Sequence, residues 1–189
     1  FAVEGAGTAE IVVEGDLGHV KRMGQGMPQG KIEIRGDAGL HLGCDMRGGE
    51  IVVEGNVGAW AGARISGGTL WVRGNAGPLL GGPYSGEARG MRGGVILVEG
   101  NTGPRAGERM RRGLIVVQGD TGELAGARMI AGSIVVLGRL GGRAGAGMKR
   151  GTIVALGGLA DGLLPTYHYA CTHQPVFLRP TLRRLQAMG

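Results

Sequence analysis

The chain repeats a short pattern in which branched aliphatic residues alternate with other positions and a glycine follows. The closing glycines are separated by 21, 19, 19, 26, 19, 19 and 19 residues. They are Gly15, Gly36, Gly55, Gly74, Gly100, Gly119, Gly138 and Gly157. A period of two residues indicates one buried face of a short β-strand. Self-similarity at a fixed longer period predicts a solenoid of stacked coils.

Alignment of the repeats on these glycines produces continuous columns of core residues. Four residues before the glycine stand Ile11, Ile32, Ile51, Leu70, Ile96, Ile115, Ile134 and Ile153. Two residues before it stand Val13, Ile34, Val53, Val72, Val98, Val117, Val136 and Ala155. A methionine or isoleucine that recurs ten residues after the glycine is expected on the opposite wall, as in Met110 and Met129. We therefore predict an all-β, right-handed parallel β-helix of about seven to eight coils over residues 1–162.

Two polar columns support parallel stacking of the coils. Immediately before the glycine the residues alternate in sign through Glu14, Arg35, Glu54, Arg73 and Glu99, so stacked neighbours carry opposite charges. Immediately after it stand Asp16, Asp37, Asn56, Asn75, Asn101 and Asp120. Because Asx side chains bond to nearby backbone and tolerate left-handed turns, this column predicts a ladder at a corner of the coil.

Composition narrows the class of protein. Glycine supplies 43 of 189 residues without a strict three-residue period, which excludes collagen and disfavours helices. The apolar fraction of 42% is too high for a disordered glycine-rich chain. Cys44 and Cys171 do not form a disulfide framework, and Cys44 is interpreted as a small core residue. With no leader pattern in residues 1–9 and no membrane-spanning run, we expect a cytoplasmic protein that does not bind membranes.

Charge suggests an anionic partner. The net charge is +6, and the stretch from Leu124 onward holds eight basic residues and one acid. Arg64, Arg109 and Arg128 occupy the same position of three coils, nine residues after the glycine, which predicts a basic stripe on one wall. Solvation of the surface is the plainer interpretation, and contact with an acidic subunit or a polyanionic ligand is the functional one. Nucleic acid is disfavoured because aromatic stacking groups are scarce.

Two segments break the repeat. Residues 79–90, which include Pro83, Tyr84 and Glu87, form either a tolerated surface loop or a finger that docks a partner. Residues 163–189 are predicted to be a tail that caps the last coil and docks partners, with a short basic helix over 180–188. Within it, His168, Cys171 and His173 are interpreted as part of the cap, since a zinc site needs a fuller set of ligands.

No column carries a catalytic arrangement. The aspartates lie at structural corners, and no Ser-His-Asp set or pair of carboxylates stands out. We therefore expect no catalytic residue, no metal site and no cofactor site in this chain.

The motif G-x-I-x-V-x-G-D/N-x-G-x-x-x-G-x-x-M, as at Gly113 to Met129, resembles a glycine-repeat β-helix that occurs in glutamate synthase and in one subunit of formylmethanofuran dehydrogenase. The segment from Leu164 to Pro180 looks more like the dehydrogenase-type β-helical subunit, of which two kinds exist. The arginine-rich composition favours the bacterial formyltransferase/hydrolase complex of methylotrophs. The tungsten or molybdenum dehydrogenase and a detached glutamate synthase domain remain alternatives.

The resemblance implies a non-catalytic scaffold in one-carbon metabolism. Its expected partners are amidohydrolase-like and formyltransferase subunits, which handle formyl groups on a methanofuran-type carrier and hold any metals. The stripe of Arg64, Arg109 and Arg128 would suit a polyglutamate tail of that carrier or an acidic neighbouring subunit.

Overall fold

The computed structural model describes residues 2–4, 9–15, 17–172, 176, 179–180 and 183. The described residues form nine short strands in a single sheet, ordered as in the sequence. They are β1 (Ala2–Glu4), β2 (Glu10–Glu14), β3 (Lys31–Arg35), β4 (Glu50–Val53), β5 (Thr69–Val72), β6 (Val95–Val98), β7 (Leu114–Val117), β8 (Ser133–Val136) and β9 (Thr152–Ala155).

Strands β2 to β9 stack in parallel, one from each coil, which confirms the predicted β-solenoid. The register is the one that the glycine alignment gives: Ile96 lies opposite Ile115, and Val98 lies opposite Val117. Strand β1 was not predicted. It pairs antiparallel with β2, with Val3 opposite Val13, and so covers the first edge of the sheet.

The core is a column of layers inside the coils. Ile115, Val117 and Met110 are all 0% exposed, as are their counterparts in most other coils. Burial of a branched aliphatic side chain stabilises a fold by about 1.5–3 kcal/mol. Most coils bury a comparable set of such side chains, so their contributions to stability are comparable. A further wall, which the alignment did not single out, follows the glycine by two residues. Its members are joined by single bridges and include Leu17, Val57 and Ala76.

The column of Asx residues forms the predicted corner ladder from Asp37 to Asp120, and Asp16 lies outside the described residues. Each side-chain oxygen accepts the backbone N–H of the next coil, for example Asn75 N–H to Asn56 Oδ1 at 2.8 Å. The neighbouring glycines let adjacent coils approach. A Cβ on Gly74 would lie 2.5 Å from the carbonyl oxygen of Gly55, which no other residue type could accommodate there.

The wall opposite the sheet consists of overlapping turns rather than strands. In one coil, Cys44 N–H donates to the His41 carbonyl and Met46 N–H donates to the Gly43 carbonyl, each at 3.3 Å. His41, Gly43 and Asp45 all have positive φ, at 62°, 60° and 58°. This alternation turns every second side chain of the wall outward, and it creates left-handed positions that non-glycine residues occupy at a cost of about 1–2 kcal/mol.

In the described part of the chain, ion pairs between the alternating charges on the outer face of the sheet occur in the first coils. Lys31 Nζ lies 2.8 Å from Glu10 Oε1, and Arg35 Nη1 lies 2.6 Å from Glu14 Oε1. Further along, Arg73 lies over the Trp71 ring instead, and Trp71 Nε1 donates to Glu99 at 2.8 Å. The alternation therefore marks the register, but aromatic contacts replace the expected ladder of ion pairs beyond β3.

The first part of the tail lies against the last coil. The Tyr167 hydroxyl donates to the Gly145 carbonyl at 3.1 Å, which holds this segment beside the open end of the solenoid. The predicted helix over 180–188 falls mostly outside the described residues. Within the described part of the chain, no helix is long and apolar enough to cross a membrane.

Candidate functional site

The three arginines of the predicted stripe lie at the same point of the turn wall. Arg64, Arg109 and Arg128 have φ of 58°, 51° and 54°, so each occupies a left-handed position that glycine fills elsewhere in the column, as at Gly147. The same left-handed geometry repeats in each of these coils, which is why the three residues share one column on the wall. The structure therefore places the predicted residues in one column, although their environments differ.

Arg64 is held by two carboxylates. Its guanidinium contacts Asp45 Oδ1 at 2.7 Å and forms an ion pair with Glu87 of the insertion. The hydrogen bond to Asp45 is the main cause that raises the pKa of Arg64, and Glu87 raises it further. Arg109 Nη1 donates to the backbone carbonyl of Glu87 at 3.1 Å. Arg64 and Arg109 thus fasten the insertion to the wall, which is a structural task that the sequence did not reveal.

Arg128 differs from the other two. It lines the next coil beyond the insertion, and no residue in the described ranges forms an ion pair with it. Its guanidinium is the member of the stripe that remains available to an anionic group from outside.

The insertion folds back onto the wall rather than projecting from it. Trp60 Nε1 donates to the Pro83 carbonyl at 3.2 Å, and Pro83 is buried. The Tyr84 ring lies 5.3 Å from the His41 ring, which in turn stacks on Trp60 at 5.3 Å. Tyr84 is therefore an internal anchor, and the exposed side chains at the tip of the insertion, available for the docking role that the sequence suggested, are those of Ser85, Ala88 and Arg89.

Polar groups beneath the insertion are partly withdrawn from water. Burial raises the pKa of Tyr84, and a hydrogen bond with the Cys44 thiol raises it further. Burial is the main cause that lowers the pKa of His41, and the positive charges of Arg22 and Lys21 make smaller contributions in the same direction. Cys44 is fully buried, in agreement with its interpretation as a small interior residue. A cluster of neutral rings and a thiol packs the insertion in place, and its stacked histidine and tryptophan share one column of the repeat.

A groove of about 300 Å³ lies between the insertion and the following two coils. Its cationic lining consists of Arg105, Arg109 and Arg128, and its anionic lining consists of Glu87 and Glu108. Glu108 is 5% exposed and its carboxylate lies 3.1 Å from Arg105 Nε. The corresponding residue of neighbouring coils is small, as at Ala63 and Ala127, so a buried glutamate is an exception in its column. We call this groove, defined by these five lining residues, the arginine groove.

The arginine groove presents the cationic donors that anion binding requires, beside the carboxylates of Glu87 and Glu108. Arginine presents several fixed donors that match a carboxylate or phosphate, and a partly enclosed position strengthens such a contact. No group of three or more His, Cys, Asp or Glu that could hold a metal ion occurs in the described part of the chain. His168 and Cys171 lie on the exposed tail, and His173 lies outside the described residues.

Comparison with known proteins identifies a similar solved structure. No family model matches the chain, and no curated protein matches it. Among solved structures, the chain is similar to one chain of the X-ray structure of the formyltransferase/hydrolase complex FhcABCD from Methylorubrum extorquens, determined in complex with methylofuran. The TM-score is 0.89 at 39% sequence identity, and the match covers 95% of this chain and 67% of that chain.

Proposed function

The chain belongs to the family of the β-helical subunit of the formyltransferase/hydrolase complex, and from this premise we propose that it is a scaffold without a catalytic centre of its own. The similarity to a chain of such a complex over 95% of the present sequence is the observation that carries this proposal. The scaffold would hold catalytic subunits that move formyl groups on and off a methanofuran-type carrier.

The use of polar residues supports a structural role. The side chains of the Asx column form the hydrogen bonds of the corner ladder. On the outer face of the sheet, Lys31 pairs with Glu10 and Arg35 pairs with Glu14. Arg64 and Arg109 fasten the insertion. Polar side chains that serve the fold in this way are held in geometries that leave little freedom for acid–base chemistry, which needs a group within hydrogen-bond reach of a substrate.

The proposed partners are an amidohydrolase-like subunit and a formyltransferase subunit. A rigid rod suits this task because each coil contacts only its neighbours, so separate surfaces along its length are presented at fixed spacing. The tip of the insertion and the end after Gly162 are the proposed docking regions. They are the two places where the regular coil is interrupted and side chains are exposed.

The arginine groove is the proposed contact for the carrier. A polyglutamate tail or an acidic neighbouring subunit would supply carboxylates to Arg105, Arg109 and Arg128, of which Arg128 is exposed and forms no ion pair with a described residue. Metals and the reacting formyl group would belong to the partner subunits.

Affinity purification of the tagged, full-length chain from its native cell extract tests the proposal. We expect an amidohydrolase-like protein and a formyltransferase to be recovered in constant ratio with the chain. Recovery of molybdopterin or iron–sulfur proteins would instead assign the chain to a dehydrogenase. A chain recovered alone at physiological salt would contradict the scaffold role.

A further inference from the structure

The two ends of the sheet are finished differently. At the first end, β1 pairs antiparallel with β2 and takes up its outer backbone groups. At the other end, β9 pairs with β8, and no strand in the described ranges pairs with the outer edge of β9. An uncovered edge presents a row of backbone donors and acceptors that can template another chain.

The pairing with β8 identifies which backbone groups of β9 face outward. Thr152 N–H donates to the Gly132 carbonyl at 3.0 Å, and Leu156 N–H donates to the Val136 carbonyl at 2.8 Å. In a parallel ladder the backbone groups of successive residues point to opposite sides, so those of Ile153 and Ala155 point away from β8. Two donors and two acceptors at the spacing of a β-strand therefore face outward at this edge, and no described residue forms a backbone hydrogen bond with them.

An apolar groove accompanies the open edge. It has a volume of about 360 Å³ and lies between the last coil and the tail, where Leu163 and Tyr167 form its far side. In the preceding coil, the core residues Ile134, Val136 and Met129 are 0% exposed. Their counterparts in the last coil are only partly buried, namely Ile153, Ala155 and Met148. Among the described residues, the core of the solenoid is thus less covered at this end, and the groove beside it is lined mainly by apolar side chains.

The surface around this end is basic. From residue 124 to residue 161 the chain carries Arg128, Arg139, Arg143, Lys149 and Arg150 against the single acid Asp161. Lys149 and Arg150 are exposed and lie just before β9. Charge complementarity across an interface favours an acidic partner and speeds its association.

We propose that β9 and its groove receive an extended acidic segment of another subunit, which adds a strand to the sheet and extends the core by one layer. The occupant alternates apolar residues, which enter the groove beside Ile153, with residues that face outward, and it carries carboxylates next to Lys149 and Arg150. This proposal rests on the proposed scaffold function, since it specifies the surface by which the rod holds a partner. Strand addition of this kind takes its affinity from main-chain hydrogen bonds and its specificity from the pockets for alternate side chains.

The substitution Ala155→Pro tests the strand addition. It removes an outward N–H and fills the edge with a ring, and the bonds to β8 do not use that N–H. The control Ala155→Ser keeps the backbone N–H of residue 155 and changes the size of the side chain little. In complexes assembled from co-expressed full-length subunits, we expect Ala155→Pro to weaken retention of one partner at least tenfold and Ala155→Ser to leave retention unchanged. Equal retention by the wild type and Ala155→Pro would overturn the inference.

A charge reversal provides a second variant that leaves the strand intact. Lys149→Glu with Arg150→Glu is expected to weaken retention of the same partner several-fold, with the difference shrinking at high salt. The matched control Lys21→Glu with Arg22→Glu makes the same change of charge near the other end of the rod, and it should have no effect on that partner. Equal losses from both pairs would show that only net charge matters, which contradicts a site at β9.

Amide hydrogen exchange distinguishes an edge of β9 that another subunit covers from one that this chain covers itself. In the isolated full-length chain the amides of Ile153 and Ala155 should exchange fast and that of Val154 slowly, whereas all three should be protected in the complex. Protection of Ile153 and Ala155 in the isolated chain would mean that this chain covers its own edge, and the inference would be wrong. If the wild-type chain retains no partner at all, the scaffold function itself fails, and this outcome is distinct from retention that Ala155→Pro leaves unchanged.

Discussion

Single residues set the spacing of the coils through the corner ladder. Both the backbone N–H and the Nδ2 of Asn56 donate to Asp37 Oδ1, at 2.7 and 3.1 Å. Asn75 repeats the arrangement on Asn56. An amide is suited to the interior of such a ladder because it accepts from one neighbour and donates to the other, whereas a carboxylate only accepts.

Asn56→Asp should therefore destabilise the fold. It replaces a donor by a second carboxylate beside Asp37, and we expect a loss of about 1–2 kcal/mol in the free energy of unfolding at pH 7. Asn75→Asp is the matched control, because it loses the same kind of donor but faces asparagines in both neighbouring coils. Denaturant unfolding of both variants measures the difference.

The sign of the pH dependence follows from the repulsion. The neighbouring charge holds the pKa of the new carboxyl above its usual value, so the extra loss exists only where both groups are ionised. The difference between the two variants should shrink as the pH falls towards about 4. A difference that is unchanged at low pH would exclude charge repulsion as its cause.

The burial of individual residues could be predicted from the sequence where one chemical type fills a column of the repeat. Ile115 and Val117 lie in columns of branched aliphatics, and their burial followed from period-two alternation. The wall two residues after the glycine was not predicted, because its column mixes Leu17, Ala38 and Thr102, which share no chemical type. Position in the coil, and not residue type, determines which residues form that wall.

At the scale of elements, the turn wall and the insertion act as one unit. The column of Arg64, Arg109 and Arg128 was visible in the sequence, but the partners of Arg64 and Arg109 were not, since they depend on how the insertion folds back. The contact between Tyr84 and His41 joins distant parts of the sequence, and no local pattern encodes it. The His41–Trp60 stack was predictable from the repeat, because both residues stand five positions after their glycines and so lie in neighbouring coils at the same point.

Arg128→Glu is the sharpest test of the stripe. Arg128 has no ion-pair partner in the described part of the chain, so the fold should stay within about 0.5 kcal/mol of the wild type. If the arginine groove contacts an anionic carrier or subunit, carrier use or assembly should weaken by about tenfold. Rates of formate release and the yield of assembled complex are the measurements.

Lys21→Glu is the control for Arg128→Glu, since it makes the same change of charge on an exposed side chain near the other end of the rod. It should leave both measurements unchanged. Simultaneous reversal of Arg64, Arg109 and Arg128 should weaken both more strongly, because it also removes the contacts of Arg64 and Arg109 with Glu87 that fasten the insertion to the wall. If assembly and carrier use are both normal in the triple variant, the stripe has no role in either.

For the whole molecule, the repeat determined the architecture but not its ends. A parallel stack of coils follows from the 19-residue period and was predictable. Strand β1 has no repeat signal, and its antiparallel pairing with β2 could not be inferred from the alignment. The outer edge of β9, with which no described strand pairs, likewise depends on where the repeat stops. The rod therefore consists of regular stacked coils, two ends that differ in how their strands are paired, and one insertion fastened to the wall. This is the form expected of a scaffold.

Add-back of the chain to the remaining subunits tests the scaffold role most directly. Formate release from a formylated methanofuran-type carrier should be undetectable with the chain alone and low with the other subunits alone. It should rise as the chain is titrated in and reach a plateau at a fixed molar ratio of chain to partner subunits. Formate release by the isolated chain, or activity of the other subunits that is the same with and without it, would contradict the account.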